Sequence, residues 1–364
     1  RVFLTGGIYY MDEKNTTDWR SYLDLAGVGV PVPPSVAFLT LADRIMDNTT
    51  ESLAIYAQAD IKIGESGTLT VGARYTDEEK DVALVGSVTS EQIAAAGVPL
   101  EQSESKVTPR LAYSHAINDD MMAYVSATNG FKSGGWNARA TVGSEFLPFG
   151  PESIWAYEAG LRADWLDGRL RTNLTAFYSD LDDLQTTAAV NGIFTTTNAG
   201  GLEVTGFEAE ITALPTENWQ IFATLGLQDA KYVDLPSGCS VPNTSFAAYD
   251  VDCNAATPKR SPDETFTLGT FVDFTVGELV LTPSVMVRYI GENVTGTRNA
   301  GPNDSTTIYN LGLRVSMATN DLWELNLECK NCGDETFTQS NLFIPYYNLP
   351  ETWMASVKFR FGNR

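Results

Sequence analysis

Apolar and polar residues alternate one by one along most of this chain. In the stretch WAYEAGLRADW (155–165), the odd-numbered positions are apolar or aromatic, whereas Glu158, Arg162 and Asp164 all fall at even-numbered positions. A repeat of two residues places successive side chains on opposite faces of a β-strand. The dipeptide Asp167-Gly168 follows, and Asp-Gly between two alternating segments indicates a hairpin. The pattern predicts antiparallel strands with one apolar and one polar face.

Fourteen segments of this kind cover the chain, and each predicts one strand. Most of them exceed the average strand of a soluble protein, which is about 5–6 residues long. They are long enough to cross a bilayer, which takes about 9–11 residues of tilted strand. The segments are 2–12, 51–63, 68–84, 105–117, 121–132, 152–166, 169–184, 193–213, 219–233, 262–276, 278–290, 306–318, 322–331 and 350–361.

The connections between these segments alternate between short and long. Short turns at 64–67, 118–120 and 167–168 alternate with long connections that include 85–104 and 133–151. A Greek-key sandwich has no reason to sort its loops by length in this way. An outer-membrane barrel has short periplasmic turns at one end and long extracellular loops at the other. The sorting therefore predicts an all-β, antiparallel transmembrane β-barrel.

Tryptophans mark the two ends of the predicted membrane band. Trp155 and Trp165 lie ten residues apart, which is about 33 Å along a strand that rises roughly 3.3 Å per residue. A tilt of about 40° reduces this to about 25 Å, the height of the lipid-facing band between aromatic girdles. A soluble sandwich core, the alternative, is only about 10 Å thick. We expect girdle positions for Trp155, Trp165, Trp323 and Trp353.

Composition narrows the choice of function. The 364 residues carry a formal net charge of −22, and 43% of them are hydrophobic. This acidic balance argues against a nucleic-acid partner, because phosphates are neutralised by Lys and Arg. No run of about 18 apolar residues is present in the sequence, so it predicts no transmembrane helix.

The four cysteines fall into two pairs in the sequence. Cys239 and Cys253 would close a loop of about 15 residues, and Cys329 and Cys332 form Cys-Lys-Asn-Cys. An even number suits an oxidising compartment such as the periplasm or the cell surface. A thioredoxin-like site needs a βαβ context and a zinc site needs a second ligand pair. Structural disulfides are therefore the favoured interpretation.

Candidate catalytic chemistry is sparse. His115 is the single histidine, and the neighbouring Ser114 points to the opposite face of the same predicted strand. We predict no catalytic residue, no metal site and no cofactor, and we expect His115 at the membrane interface.

Several stretches of the sequence resemble the TonB-dependent receptors of the outer membrane, in family order and over nearly all of residues 51–364. The final strand, TWMASVKFRFGNR, carries Trp353, Val357, Phe359 and Phe361 on one face and resembles the signal that the barrel-assembly machinery recognises. The other stretches are TPRLAYSHAINDDMMAYVSATNGFKSGGWN (108–137), ESIWAYEAGLRADWLDGRLRTNLTAFYSDLDDLQ (152–185), TNAGGLEVTGFEAEITALPTENWQIFATLGLQDAKY (197–232) and LNLECKNCGDETF (325–337).

The resemblance implies a 22-stranded barrel filled by an N-terminal plug, which takes up a ferric siderophore, cobalamin or an oligosaccharide. The TonB–ExbB–ExbD complex would power uptake through the plug. Because fourteen strands are part of such a barrel, we expect residues 1–364 to be its C-terminal part, with the plug outside this chain. The alternatives are a passive porin or fatty-acid channel of about fourteen strands and a structural or assembly partner in an envelope complex. Asp180, Asp182 and Asp183 form an acidic run at the predicted outer rim, and we expect rim carboxylates to contact lipopolysaccharide.

Ligand binding is expected at the outer mouth of the barrel. In GFKSGGWNARA (130–140) a strand enters a long loop, where Gly134 and Gly135 permit sharp turns. In the family the ligand lies between the plug and such loops. A girdle tryptophan beside a bend is an equally acceptable interpretation of Trp136. The resemblance makes candidate ligand-binding residues of Lys132, Trp136, Asn137 and Arg139, and also of Arg298, Tyr346 and Tyr347 in other loops.

Overall fold

The computed structural model describes residues 1–25, 29, 31, 33, 38–190, 193–235, 257–295, 303–319, 322–341 and 345–361. Its one α-helix among these residues is α1 (Ser90–Ala95). No helix in the described ranges is both long and apolar enough to cross a membrane. The strands are β1 (Val2–Asp24), β2 (Phe38–Ile63), β3 (Gly67–Gly86), β4 (Glu101–Asn118), β5 (Met121–Lys132), β6 (Gly135–Trp136), β7 (Pro148–Phe149), β8 (Glu152–Trp165), β9 (Leu170–Asp182), β10 (Gln185–Val190), β11 (Ile193–Asn198), β12 (Gly201–Thr216), β13 (Trp219–Val233), β14 (Glu264–Val272), β15 (Phe274–Val276), β16 (Leu279–Ile290), β17 (Thr306–Met317), β18 (Trp323–Lys330), β19 (Thr338–Asn341), β20 (Pro345–Tyr347) and β21 (Thr352–Phe359).

One large antiparallel sheet contains fourteen strands in a single path, and the short β15 pairs with β16 at its side. Along this path each strand pairs with the preceding and following one, which confirms the predicted all-β meander of fourteen strands. The sheet has two edges in the described part of the chain, β1 and β21. The path runs β1-β2-β3-β4-β5-β8-β9-β12-β13-β14-β16-β17-β18-β21. We call its two ends the short-turn end and the long-loop end, after their connections.

Strand boundaries follow the prediction closely where one face is apolar, and depart from it where both faces are polar. β5 and β13 begin and end at the predicted residues. The stretch between the first two predicted strands, 13–50, was expected to be a loop. Its residues 13–24 and 38–50 instead extend β1 and β2 into a long antiparallel ribbon. The stretch DEKNTTDW is polar in both registers, so it carries no alternation although its backbone pairs as a strand.

The predicted strand 193–213 was wrong as a single element. The chain turns at Asp183 (φ 54°), between β9 and β10, and again at Gly200 (φ 55°), between β11 and β12. Leu184 and Ala199 close the gap with backbone hydrogen bonds, Leu184 N to Gly200 O at 3.0 Å and Ala199 N to Leu184 O at 2.9 Å. The result is a separate hairpin of β10 and β11, which stands on the sheet where β9 ends and β12 begins.

Two adjacent rows of side chains at the same depth show how the faces differ. On one face, the neighbouring strands β8, β9, β12, β13 and β14 contribute only apolar residues, namely Leu161, Leu174, Ala209, Leu225 and Phe266. One position along each strand, the opposite face presents Arg162, Asn173, Glu210, Thr224 and Thr267.

The apolar face has no protein cover in the described residues. Leu4 and Ile8 on β1 are 80% and 75% exposed. Further large apolar side chains are exposed across the sheet as far as Phe359 on β21. An apolar surface of this extent is stable only against another apolar phase. The sheet therefore has the two-faced character that the sequence predicts for a membrane-spanning wall.

Aromatic residues on the apolar face collect near both ends of the sheet. Close to the long-loop end, Trp155 stacks on Tyr157 with ring centroids 5.9 Å apart, and Tyr157 stacks on Tyr178 at 6.1 Å. Close to the short-turn end, Trp165 Nε1 donates to Thr172 Oγ1 at 2.9 Å. Trp323 pairs with Phe359 near the same end, and Trp353 lies near the long-loop end. Membrane-girdle roles for these four tryptophans stay a prediction.

On the polar face, aromatic rings lie flat over glycines of the neighbouring strand. A Cβ atom on Gly160 would approach the Tyr124 ring to 2.4 Å, and one on Gly206 would approach the Phe177 ring to 2.3 Å. Only glycine permits this approach, and the ring covers the backbone that glycine leaves bare. The rings consequently follow the wall and do not project from it.

The two faces make a direct prediction about adjacent residues of β9. Leu174→Lys puts a charge on the apolar face near mid-depth and should destabilise the protein by about 2–4 kcal/mol. Asn173→Lys, the matched control, puts the same side chain on the polar face beside Glu210, whose Oε2 lies 3.2 Å from Asn173 Nδ2. Urea unfolding from lipid vesicles measures both. Equal costs at the two positions would contradict the assignment of faces.

Candidate functional site

Three segments fold together at the long-loop end, above the polar face of β2–β5. They are residues 87–100, residues 133–151, and the described residues 185–190 and 193–198, which we call the mouth platform. The first contains α1, whose N-terminus is fixed by a capping box between Thr89 and Gln92. Polar loops of this length need their own core and their own hydrogen bonds to hold one shape. The platform has both.

The core of the platform is a small apolar cluster. Val82 and Leu84 at the outer part of β3 contribute side chains to it, and Ile93 and Phe146 from the first two segments cover them. Ile93 and Phe146 are each 0% exposed. Burying such side chains stabilises by roughly 1.5–3 kcal/mol each, so the cluster ties the first two segments to the sheet.

Long polar side chains from neighbouring segments hold the backbone where the segment 133–151 begins. Lys80 Nζ donates to Ser133 Oγ at 2.8 Å and to Gly134 O at 2.9 Å. Gln102 Nε2 donates to Gly135 O at 2.8 Å. From the β10–β11 hairpin, Gln185 Nε2 donates to Ser133 O at 3.0 Å. The entry to this segment is fixed from three sides.

Asn137 joins the second and third segments of the platform. It is 6% exposed, and its Nδ2 donates to Leu147 O and to Thr196 O, both at 2.9 Å. Its Oδ1 accepts from the backbone N–H of Thr196 at 2.5 Å. A carboxamide has two N–H donors and a carbonyl acceptor, so the described contacts use both hydrogens and the oxygen.

Two other predicted ligand-binding residues have described contacts here: Trp136 within the platform, and Lys132 just before it at the end of β5. Trp136 Nε1 donates to Pro99 O at 2.8 Å, and its ring stacks on Phe146 at a centroid distance of 6.4 Å. Lys132 Nζ lies 2.6 Å from Glu152 Oε1. These contacts show how the segment is positioned. A role of Lys132, Trp136, Asn137 and Arg139 in ligand contact stays a prediction.

The remaining predicted positions lie elsewhere at the long-loop end. Tyr346 and Tyr347 belong to β20, in a hairpin with β19, and are 65% and 58% exposed. Their exposure leaves both phenol rings available to a binding partner. Arg298 lies outside the described residues.

The loop that leads to Tyr346 and Tyr347 is anchored beside a disulfide. Cys329 and Cys332 are bonded to each other, as the sequence predicts, whereas Cys239 and Cys253 lie outside the described residues. Asn331 lies between the bonded cysteines, and its Nδ2 donates to Glu335 O at 2.8 Å and to Leu349 O at 3.1 Å. Asn331 thereby joins the two ends of the loop.

A second group of loops meets where β13 ends and β14 begins. Arg260 N donates to Val294 O at 2.8 Å, and Lys259 forms a β-bridge with Val294. Burial lowers the pKa of the Lys259 ammonium, and the neighbouring positive charge of Arg260 lowers the pKa further. Because the pKa is lower in the folded state, the protonated Lys259 ammonium destabilises the folded loop. This free-energy cost fades as the pH rises from the lowered pKa towards the ordinary pKa of lysine.

The described residues contain no group of three or more His, Cys, Asp and Glu side chains that could hold a metal ion. His115 is exposed, and its Nδ1 lies 3.3 Å from Tyr113 Oη. The features with a developed architecture are thus the platform and the loops beside it, over a wall that is apolar outside and polar inside.

Comparison with known proteins identifies this architecture. The family described as TonB dependent receptor-like, beta-barrel, matches residues 3–332. The chain belongs to this family. Members are β-barrel proteins of the outer membrane, so the long-loop end is extracellular, and the family is one of receptors.

Curated relatives of this TonB-dependent receptor chain are receptors of Pseudomonas and Yersinia. The ferric-pyoverdine M114 receptor PbuA of a Pseudomonas species is 25% identical over 346 residues, which is 91% of this chain and 39% of PbuA. The pesticin receptor of Yersinia enterocolitica is 26% identical over 162 residues, 44% of this chain and 23% of that protein. The chain therefore spans well under half the length of these curated relatives.

Solved receptors have the same fold. The ferric yersiniabactin uptake receptor FyuA from Yersinia pestis superposes with a TM-score of 0.78 at 16% identity, covering 99% of this chain and 51% of FyuA. The pyoverdine receptor FpvA of Pseudomonas aeruginosa, bound to pyoverdine, superposes with a TM-score of 0.63 at 18% identity, covering 87% of this chain and 43% of FpvA.

The sequence gives little sign of the residues that hold the platform. Lys80, Gln102 and Gln185 are ordinary polar residues at the outer ends of strands, and each donates to a backbone carbonyl of the segment 133–151. One signal was present, since Lys80 and Gln102 lie in the polar-face register of strands that continue beyond the aromatic band. Polar side chains in that register do not face lipid, so they are free to form hydrogen bonds with the loops.

Asn137→Ala removes three described hydrogen bonds from a buried site of the receptor. At about 1 kcal/mol each, this should reduce local stability by about 2–3 kcal/mol and speed amide hydrogen exchange in 137–147 and 193–198 by roughly 30–150-fold. Ser144→Ala, an exposed position of the same segment, is the matched control and should leave exchange unchanged. Unaltered protection in Asn137→Ala would show that the platform does not depend on this side chain.

Proposed function

We propose that this chain is the C-terminal barrel part of an outer-membrane receptor that binds ferric siderophores and passes them to the periplasm. The observation that carries the proposal is the match to a ferric-pyoverdine receptor over 91% of the chain. The folded mouth platform supports it, because a preorganised surface at the extracellular end loses little entropy when it binds a chelate.

The open sheet supports the view that more strands complete the barrel. β1 and β21 each pair with one neighbour in the described part of the chain. An unpaired strand edge in hydrocarbon leaves backbone N–H and C=O groups unsatisfied, at several kcal/mol each. We propose that further strands close the sheet into the 22-stranded barrel of the family.

The lumen side supports a plug as the partner of the inner wall. Near the short-turn end, Arg162, Arg171 and Glu208 line a cavity of about 630 Å³ together with Asp164. A charged wall of this kind suits a folded domain or water and excludes lipid. Coupling to the TonB–ExbB–ExbD complex is proposed through that plug, as in the family.

Two envelope partners complete the proposal. Trp353, Val357 and Phe359 of the last strand are 68%, 56% and 60% exposed on the apolar face, as recognition by the barrel-assembly machinery requires; Phe361 follows at 93%. Asp12 and Glu51 pair on the outward register just beyond the aromatic band, and lipopolysaccharide is proposed to contact this rim.

Uptake of labelled ligands by iron-limited cells that depend on the receptor tests the proposed function. Ferric yersiniabactin, ferric pyoverdine and a ferric catecholate are the probes, and cobalamin and a maltodextrin represent the other ligand classes. We expect uptake of at least one ferric chelate and its loss when TonB is deleted. Uptake of cobalamin or the maltodextrin alone would replace the ligand class.

A passive channel is the competing function, and it predicts a different result. Uptake would then persist without TonB, and the purified receptor would conduct ions across planar bilayers with no energy source. Either outcome would contradict the proposed energised transport.

A further inference from the structure

Arg44 is a buried charge far from the lipid-facing band. It lies on β2 in the outer ribbon, pairs across the sheet with Trp19 and Gly86, and is only 2% exposed. Burying a charge is costly unless hydrogen bonds or an opposite charge compensate it. An apolar residue would fill the same space at no such cost, so the guanidinium calls for a functional explanation.

The described hydrogen bonds of the Arg44 guanidinium both go to one segment. Its guanidinium donates to the backbone carbonyls of Ala138 and Ala140 in the mouth platform. Its Cζ atom lies 4.6 Å from the ring centroid of Trp19, within cation–π range. The planar fork of arginine reaches two carbonyls at once, which a single ammonium does not reproduce with the same geometry.

The segment that Arg44 holds is the one singled out as a ligand contact. Ala138 and Ala140 flank Arg139 and directly follow Trp136 and Asn137. Ala140 is 1% exposed and belongs to the apolar cluster of the platform, and its N–H donates to Asn137 O at 3.0 Å. The guanidinium therefore fixes the turn that determines where these side chains lie.

We propose that Arg44 is a positioning residue, which sets the affinity of the receptor for its ferric chelate by holding residues 136–140 in one conformation. It acts through the loop and does not touch the ligand. The proposal rests on the proposed function and adds the residue on which recognition by the platform depends. It predicts that loss of the guanidinium frees the loop and weakens binding while the barrel stays intact.

The first test measures the loop without any ligand. Ser144 on the platform and Lys14 on the outer ribbon are both exposed. Spin labels at these two positions report the distance between platform and ribbon. The full receptor should give one narrow distance distribution. Arg44→Met, which keeps an unbranched apolar chain and removes the guanidinium, should broaden it, and Arg44→Lys should fall between the two.

The matched control is Arg20→Met on the neighbouring strand. Arg20 is an exposed arginine whose Nε lies 3.5 Å from Asp18 and 3.3 Å from Asp43, with no contact to the platform among its described ion pairs. The same substitution there should leave the distribution narrow. Heat-modifiable mobility on denaturing gels checks that every variant forms a folded barrel.

The second test measures binding of ferric pyoverdine and ferric yersiniabactin to the same variants. Arg44→Met should weaken binding at least tenfold, Arg44→Lys should recover part of the loss, and Arg20→Met should match the wild type. A narrow distribution in Arg44→Met, or a broad one with unchanged affinity, would overturn the proposal. If the wild type binds neither chelate, the proposed function fails for these ligands, and the distance distribution alone decides whether Arg44 holds the loop.

Discussion

The backbone hydrogen bonds of this chain have to be completed inside hydrocarbon, where no water is available to complete them. A continuous antiparallel sheet meets this condition strand by strand, and only if each outward side chain is also apolar. On β9 the backbone pairs with a strand on each side. Leu174 lies in the apolar row of its outward face, and the adjacent Asn173 lies in the polar row of the opposite face. The sorted loops, the strand lengths and the aromatic ends of the sheet all follow from this constraint.

Beyond the aromatic band the constraint ends, and the architecture changes with it. β1, β2 and β3 continue outward as a ribbon whose polar residues no longer sort between the faces. Water competes there for every hydrogen bond, so the outer loops need a core of their own. The cluster around Phe146 supplies it, and side chains from the strands bind the loop backbone directly. The membrane wall thus serves as the rigid support of the extracellular platform.

The membrane part of the fold was accessible from sequence because each strand carries its own evidence. Period-two alternation fixes the register and face of β5 and β13 without knowledge of any partner. The outer ribbon lacked that evidence, and the hairpin of β10 and β11 was hidden because Asp183 and Gly200 break the strands by left-handed backbone angles alone. The candidate ligand residues stay a prediction, and the residues that hold their loop were missed. Arg44 meets Ala138 across 94 positions of sequence, and no local pattern reports such a pair.

Solvent accessibility along β9 tests the central claim most directly. Spin labels placed one at a time at residues 170–178 of the receptor in lipid vesicles collide with oxygen, which concentrates in hydrocarbon, or with a water-soluble nickel chelate. The account predicts oxygen maxima at the even-numbered positions and chelate maxima at the odd-numbered ones. Accessibility that lacks this period of two, or that shows it with the parity reversed, would contradict the account.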